Sequence, residues 1–191
     1  MENGNFLEMI KGMENEMEKV QEGYDSIMSL SREIIRSSGK AVTLLHNAKA
    51  KEAKELIDKA YKLLCEAEKA SKRFSYLLLQ AKQELSEAKI FYAIKISGSI
   101  PSKKSVGINS TEAYILGLMD TIGELKREVL SMLMEKNVKK AKESLALMEL
   151  IYDATSCMRF SDAVMPDFRR KQDVARILIE NAGSDIVKFL A

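Results

Sequence analysis

The chain contains 191 residues, which suits one well-buried domain and is short for two, since domains usually contain about 100–150 residues. Its formal net charge is only +2, so the overall charge does not indicate a nucleic-acid binder, and any basic site has to be local. No apolar run approaches the roughly 18–20 residues of a membrane span and the acidic start is unlike a signal peptide, so we expect a single cytoplasmic domain over residues 1–191, with no membrane partner.

The residue types favour helices throughout the chain. Only 2 prolines and 9 glycines are present, too few for the frequent turns of a β-sandwich or barrel. The apolar content lies mainly in Leu, Ile, Ala and Met, which favour helix over strand. The composition therefore predicts an all-α, single-domain bundle of about five to seven helices.

Helical periodicity, glycine and proline divide the chain into five predicted helical stretches, over residues 5–47, 51–96, 110–134, 138–160 and the segment after Pro166. The second stretch is predicted to bend near Ser71, where the charge density changes. Residues 97–109 form the clearest loop, because they contain glycine and proline. Ser110 or Asn109 can cap the third helix, and Asn137 can cap the fourth.

An apolar stripe at helical spacing marks the main buried face of the second stretch: Phe74, Leu78, Ala81, Leu85, Ala88 and Tyr92. At about 100° per residue, Lys82, Ser86 and Lys89 fall on a solvent-like face. Glu84 and Glu87 fall on neither face and are neighbours at i and i+3 among apolar and neutral side chains. Two like charges there need a counter-charge, so they pair with basic residues of another helix, face another subunit, or bind a metal ion.

The helix over residues 110–134 carries a second pair of carboxylates, Asp120 and Glu124, one turn apart and opposite its apolar face. This side could simply be exposed to solvent, with Arg127 forming a weak surface pair with Glu124. The same side also holds Gly117 and other small residues, which would let another backbone or a substrate approach closely. Periodicity alone leaves both interpretations open.

Together the two helices offer four oxygen-donor side chains, which a hard divalent cation such as Mg²⁺ or Mn²⁺ prefers. A ferritin-like di-iron site requires Glu-x-x-His pairs, and the only histidine, His46, is preceded at that spacing by Thr43. An all-carboxylate cluster instead suits phosphodiester hydrolysis, in which the metal polarises the phosphate and activates a bound water.

Three segments resemble the translin family, specifically the translin-associated factor X branch and its prokaryotic relatives. Residues 29–46 (SLSREIIRSSGKAVTLLH) resemble the long first helix of the family, and residues 83–88 (QELSEA) its Gln-Glu-x-x-Glu-Ala segment. Residues 114–127 (YILGLMDTIGELKR) are similar to the family's Tyr-Leu-Leu-Gly-x-x-Asp-x-x-Gly-Glu-Leu-x-Arg segment, the most specific of the three. Weaker matches, including the basic run at 169–171, extend the resemblance over most of the chain.

This resemblance implies an all-α domain that assembles into a closed octamer able to enclose single-stranded RNA or DNA. It also implies a Mg²⁺-dependent endoribonuclease, with catalytic and metal-binding roles for Glu84, Glu87, Asp120 and Glu124. Asp120 places the chain nearer the nuclease branch, because translin itself lacks this aspartate. The short 97–109 loop departs from the eukaryotic factor X pattern, which has a long insertion there, so a homo-oligomer is the simpler expectation.

Candidate phosphate contacts are Arg32, Arg36 and Lys40, spaced four residues apart on the first helix, together with Arg127 beside the acidic pairs. The alternative is a solvated basic stripe balanced by neighbouring carboxylates. His46 could contact phosphate or transfer a proton as an accessory residue, or it could cap and pack the end of the helix.

The leading hypothesis is a metal-dependent endoribonuclease that acts on single-stranded RNA and leaves a 5′-phosphate and a 3′-hydroxyl. Mg²⁺ or Mn²⁺ would be held by the four carboxylates. The alternative is a non-catalytic protein of translin type that binds single-stranded RNA or DNA, and a helical scaffold without a nucleic-acid role is the third possibility.

Overall fold

The computed structural model describes residues 2–70 and 72–191, and within these ranges all regular secondary structure is helical. The α-helices are α1 (Glu2–His46), α2 (Ala50–Ala70), α3 (Leu79–Ser97), α4 (Lys103–Val106), α5 (Thr111–Met134), α6 (Val138–Ser156) and α7 (Phe168–Leu190). A 3₁₀ turn at Ser75–Leu78 precedes α3. The all-α prediction is confirmed, and in the described part of the chain no helix combines the length and apolarity needed to cross a bilayer.

The predicted helix starts agree with the structure where a side chain caps the first turn. The Ser110 hydroxyl accepts a hydrogen bond from the backbone N–H of Ala113 at 3.0 Å, so α5 begins at the predicted cap. The Asn137 amide oxygen accepts one from the N–H of Lys140 at 3.2 Å, at the start of α6. Both caps satisfy N–H groups that have no partner within the helix.

Several predicted boundaries are wrong. The stretch 51–96 is two helices, α2 and α3, separated by the 3₁₀ turn; the predicted bend at Ser71 lies outside the described residues. The 97–109 loop contains the short helix α4, which ends at Gly107 with a φ of 73°, a conformation that glycine adopts without strain. Helix α6 ends at Ser156, before the predicted residue 160. The predicted helix after Pro166 is confirmed as α7; Pro166 itself lies before the first turn, since Asp167 in a left-handed conformation (φ 60°) precedes the helix.

Helix α3 packs between α1 and α5, and α5 also packs against α6 and α7. Leu78, Ala81, Leu85 and Ala88 are fully buried, as the apolar stripe predicts, whereas Phe74 and Tyr92 at its ends are half-buried. The predicted solvent face of α3 is wrong, since Ser86 is also fully buried. Ser86 is buried because α5 packs against it at Gly117, and the polarity of serine does not predict this burial.

Gly117 brings the two carboxylate-bearing helices together. A Cβ atom at this position of α5 would lie 2.8 Å from the Ser86 Cβ and 2.9 Å from the Glu87 backbone nitrogen. Glycine therefore lets the backbone of α3 approach α5 at the turn that carries Glu87, which confirms the expected close approach on this side of the helix.

We expect Gly117→Ala to destabilise the protein, because the added methyl group meets backbone atoms that cannot move cheaply. Overpacking of this kind costs about 1–3 kcal/mol. Gly123→Ala is the matched control, since its Cβ would meet nothing within 4 Å on the same helix and alanine favours helix by about 1 kcal/mol. Urea unfolding of both variants measures the difference, and equal stability would contradict the close-packing argument.

Candidate metal and nucleic-acid site

All four predicted carboxylates line one pocket of about 1020 Å³. Glu84 and Glu87 come from α3, and Asp120 and Glu124 come from α5. Helical spacing explains each pair, because residues three or four apart lie on the same side of a helix. The contact at Gly117 then brings the two pairs to the same pocket.

The two glutamates of α3 lie in an environment that disfavours their charged forms. Burial raises the pKa of Glu87 to about 9, with further contributions from the Asp120, Glu84 and Glu124 carboxylates. Burial and the Asp120 charge also raise the pKa of Glu84, against a smaller opposing effect of Lys171. Glu87 is therefore protonated at neutral pH in the metal-free protein, as expected where like charges crowd a desolvated site.

Asp120 is held by two side chains from other helices. The Gln83 amide donates to Asp120 Oδ2 at 2.6 Å, and the Lys171 ammonium forms an ion pair with Oδ1. Lys171 lies in the first turn of α7 and is only 17% exposed at its side chain, so this pair is shielded from solvent. The sequence-based prediction did not include Lys171, which is 51 residues from Asp120 and has only the basic run at 169–171 as a signal.

Glu124 is bonded to the last residue of α1. The His46 Nε2 atom lies 2.5 Å from Glu124 Oε2, and its Nδ1 lies 3.7 Å from Glu128 Oε2. Burial by itself lowers the pKa of His46, but the hydrogen bond to Glu124 and the nearby Glu128 carboxylate outweigh it and the net pKa is raised. Interactions with His46 and with the Lys95 ammonium lower the pKa of Glu128 to about 2, despite the opposing effect of burial. His46 thus lies behind the pocket, and no sequence pattern indicates Glu128 as its partner.

The predicted phosphate contacts do not lie together. Arg32 lines the pocket, whereas Arg36 and Lys40 are exposed further along α1 and Arg36 pairs with Glu33. Arg127 is also exposed and is absent from the described lining of this pocket. The structure instead adds Arg170 and Lys171 of α7 to the pocket. The basic residues that border the pocket therefore come from α1 and α7. These helices are too far apart in the chain for residue spacing to predict that they meet.

The donor set fits a hard divalent cation, because carboxylate oxygens are the ligands that Mg²⁺ and Mn²⁺ prefer. Burial first, and the neighbouring carboxylates second, raise the pKa of Glu84 and Glu87, and the positive charge of a bound dication would offset both effects. Within residues 2–70 and 72–191, no three His, Cys, Asp or Glu side chains are already gathered closely enough to hold a metal ion. Asp120 is paired with Lys171 and Glu124 with His46 in the metal-free protein.

Fold and site together define an all-α protein with an acidic pocket between two helices, bordered by basic groups from two others. No protein-family model matches the sequence. An uncharacterized protein of Methanocaldococcus jannaschii is 33% identical over 171 residues, which cover 87% of this chain and 76% of that relative.

Three solved structures show the same fold. AfC3PO in complex with duplex RNA has a TM-score of 0.82 at 28% identity and covers 95% of this chain and 96% of its own. The crystal structure of AfC3PO has a TM-score of 0.81 at 30% identity, with the same coverage. Apo-NeC3PO, at 23% identity and a TM-score of 0.83 over 94% of this chain and 96% of its own, supports the fold alone. The chain belongs to the translin family.

Proposed function

We propose that this protein is a cytoplasmic, Mg²⁺-dependent endoribonuclease that cleaves single-stranded RNA. The observation that carries the proposal is the single pocket in which Glu84 and Glu87 of α3 meet Asp120 and Glu124 of α5. Its similarity to AfC3PO, which was solved in complex with duplex RNA, supports RNA as the ligand class. Mn²⁺ has the same ligand preference as Mg²⁺ and is the alternative cation.

Some residues of the pocket would bind the cation and others would bind the RNA. Glu84, Glu87 and Asp120 would hold the cation, which when bound supplies Lewis-acid activation of the phosphodiester and of a water. Glu124 would complete the ligand set or orient the attacking water. Arg32 and Arg170 border the same pocket and would hold the RNA phosphates. Cleavage by the activated water would leave a 5′-phosphate and a 3′-hydroxyl.

Tyr76 supports a single strand as the substrate. It lines the pocket and is 67% exposed, so its ring is free to stack on an unpaired base. In the described part of the chain it is the one aromatic side chain that lines this pocket. Paired bases are already stacked on each other, so we expect duplex RNA to be bound but cleaved more slowly. Single-stranded DNA would reach the same pocket and is a further ligand.

We also propose that the protein assembles as a homo-oligomer, with an octamer as the expected state. The N-terminal part of α1 exposes large apolar side chains at helical spacing: Phe6, Leu7, Met9, Ile10, Met13 and Met17. An apolar patch of this kind is typical of a subunit contact.

The test measures mass and cleavage on one sample. Light scattering gives the subunit number, and the same preparation is then incubated with labelled single-stranded and duplex RNA, with Mg²⁺ or with a chelator. We expect cleavage that requires the cation and is faster on the single strand. Binding in a gel shift without cation-dependent cleavage would overturn the nuclease proposal.

A non-catalytic, translin-type protein that binds single-stranded RNA or DNA is the second candidate. It is favoured by the ion pair between Lys171 and Asp120, which neutralises one of the four proposed ligands in the metal-free protein. The same assay separates the two candidates, because only the nuclease shortens the RNA.

Lys171→Met is expected to increase the affinity for Mn²⁺, because the ammonium group competes with a dication for the same carboxylates. The metal-free protein should lose stability, since Asp120 loses its counter-charge, so added Mn²⁺ should raise the melting temperature more than in the native protein. Arg169→Met, on an exposed position of the same helical turn, controls for the lost charge. Unchanged Mn²⁺ affinity in calorimetry would contradict the competition.

A further inference from the structure

A row of paired side chains connects the acidic pocket with a second groove. Glu124 lines the pocket, His46 lies between Glu124 and Glu128, and the Lys95 ammonium lies 2.6 Å from Glu128 Oε1. Lys95 and Glu128 line a separate groove of about 510 Å³ between α3, α5 and α6. The four side chains come from α1, α3 and α5.

The histidine is firmly placed. Its side chain is 7% exposed, and its ring centroid lies 4.9 Å from that of Phe91, which is fully buried. The Glu128 side chain is 12% exposed and is paired on both sides, with His46 and with Lys95. A ring that is packed on one face and flanked by two carboxylates has little freedom to rotate.

Glu124 depends on this histidine. Its bond to His46 Nε2 is its sole hydrogen bond or ion pair within residues 2–70 and 72–191. A carboxylate only accepts hydrogen bonds, so Nε2 is the donor, whichever charge the ring carries. One carboxylate oxygen is thereby fixed, while the side chain still borders the pocket.

We propose that His46 is a positioning residue that holds the Glu124 carboxylate at the acidic pocket, and that the Glu128–Lys95 ion pair holds His46 from behind. This inference rests on the proposed function, because it gives Glu124 a role toward a divalent cation. Groups that hydrogen-bond a ligating carboxylate typically change metal affinity or activity by about 10- to 100-fold when they are removed.

The test compares two replacements of similar size. His46→Gln keeps an N–H donor near the position of Nε2, whereas His46→Leu removes it. We expect His46→Leu to weaken Mn²⁺ binding in calorimetry by about 10-fold or more. His46→Gln should keep most of the native affinity. Glu128→Gln should give a smaller loss, and combining it with His46→Leu should add little, because both act through the same carboxylate.

His46 also supplies a spectroscopic readout, because it is the only histidine in the chain. Its imidazole nitrogen signals should shift when Mg²⁺ is added to the native protein and should not shift in Glu124→Gln. Thermal unfolding of each variant accompanies the titrations. Equal loss of stability in both His46 variants with unchanged Mn²⁺ affinity would overturn the positioning role and leave the proposed function intact. Failure of the native protein to bind Mn²⁺ or Mg²⁺ would overturn both.

Discussion

Glu87→Gln is expected to abolish cation-dependent RNA cleavage while stabilising the metal-free protein at neutral pH. Glutamine has the shape of a protonated glutamate, which is the form that burial and the neighbouring carboxylates impose on Glu87 at pH 7. It cannot supply an anionic ligand. We expect the cleavage rate to fall by at least about 100-fold, the size of loss seen when one group that stabilises transition-state charge is removed.

The effect on stability should depend on pH, with a sign set by the raised pKa. Below pH 4.5 Glu87 is protonated in both the folded and the unfolded chain, and it costs no stability. Between pH 4.5 and about 9 the unfolded chain ionises while the folded chain keeps its proton, so the native protein loses stability as the pH rises. The slope is about 1.4 kcal/mol per pH unit. Above pH 9 both states are ionised and the cost is constant.

Urea unfolding in the presence of a chelator at pH 5, 7 and 9 measures this difference. The advantage of Glu87→Gln over the native protein should be small at pH 5 and should grow toward pH 9. Cation binding should release a proton from Glu87, so it should be tighter at higher pH. A stability difference that is the same at all three pH values would contradict the buried, protonated state of Glu87.

Asp120→Asn is expected to remove cleavage to a similar extent but to destabilise the protein. The substitution removes a proposed ligand and leaves the partly buried Lys171 ammonium without its anion. Loss of a charged hydrogen-bond partner costs about 1.5–3 kcal/mol. The pKa of Glu87 should fall, because Asp120 is the largest of the neighbouring charges that raise it.

RNA binding separates this effect from a general loss of structure. A gel shift at low salt should show that Asp120→Asn still binds RNA, because the variant carries one negative charge fewer beside the phosphates. Asp173→Asn, on an exposed position of α7, is the matched control and should cleave normally. Glu84→Gln should give the same loss of cleavage. Undiminished cleavage by both Asp120→Asn and Glu84→Gln would refute the mechanism.

Local features of the chain were predictable where their cause is local. The caps at Ser110 and Asn137 follow from side chains that bond N–H groups three residues ahead. Gly117 was expected to admit a close neighbour, and it does. By contrast, helical spacing predicts a solvent-facing Ser86, because the residues of its own helix do not show what packs against it, and in the structure it is completely buried at the contact with α5.

The site was predictable only in part, for the same reason. Each carboxylate pair follows from helical spacing, and the translin resemblance put the two pairs together. The partners of the carboxylates were missed, because Lys171 and His46 are 51 and 78 residues from Asp120 and Glu124. No periodicity extends over such separations.

Composition and helical spacing are enough to predict an all-α protein with two acidic helix faces, because both act within a few residues. How the charges on those faces are balanced depends on the packing of the helices. Packing at Gly117 brings α3 and α5 together, α7 contributes Lys171 to Asp120, and the end of α1 contributes His46 to Glu124. Charge balance at a buried site is a property of the elements that meet there, and only their packing in three dimensions reveals it.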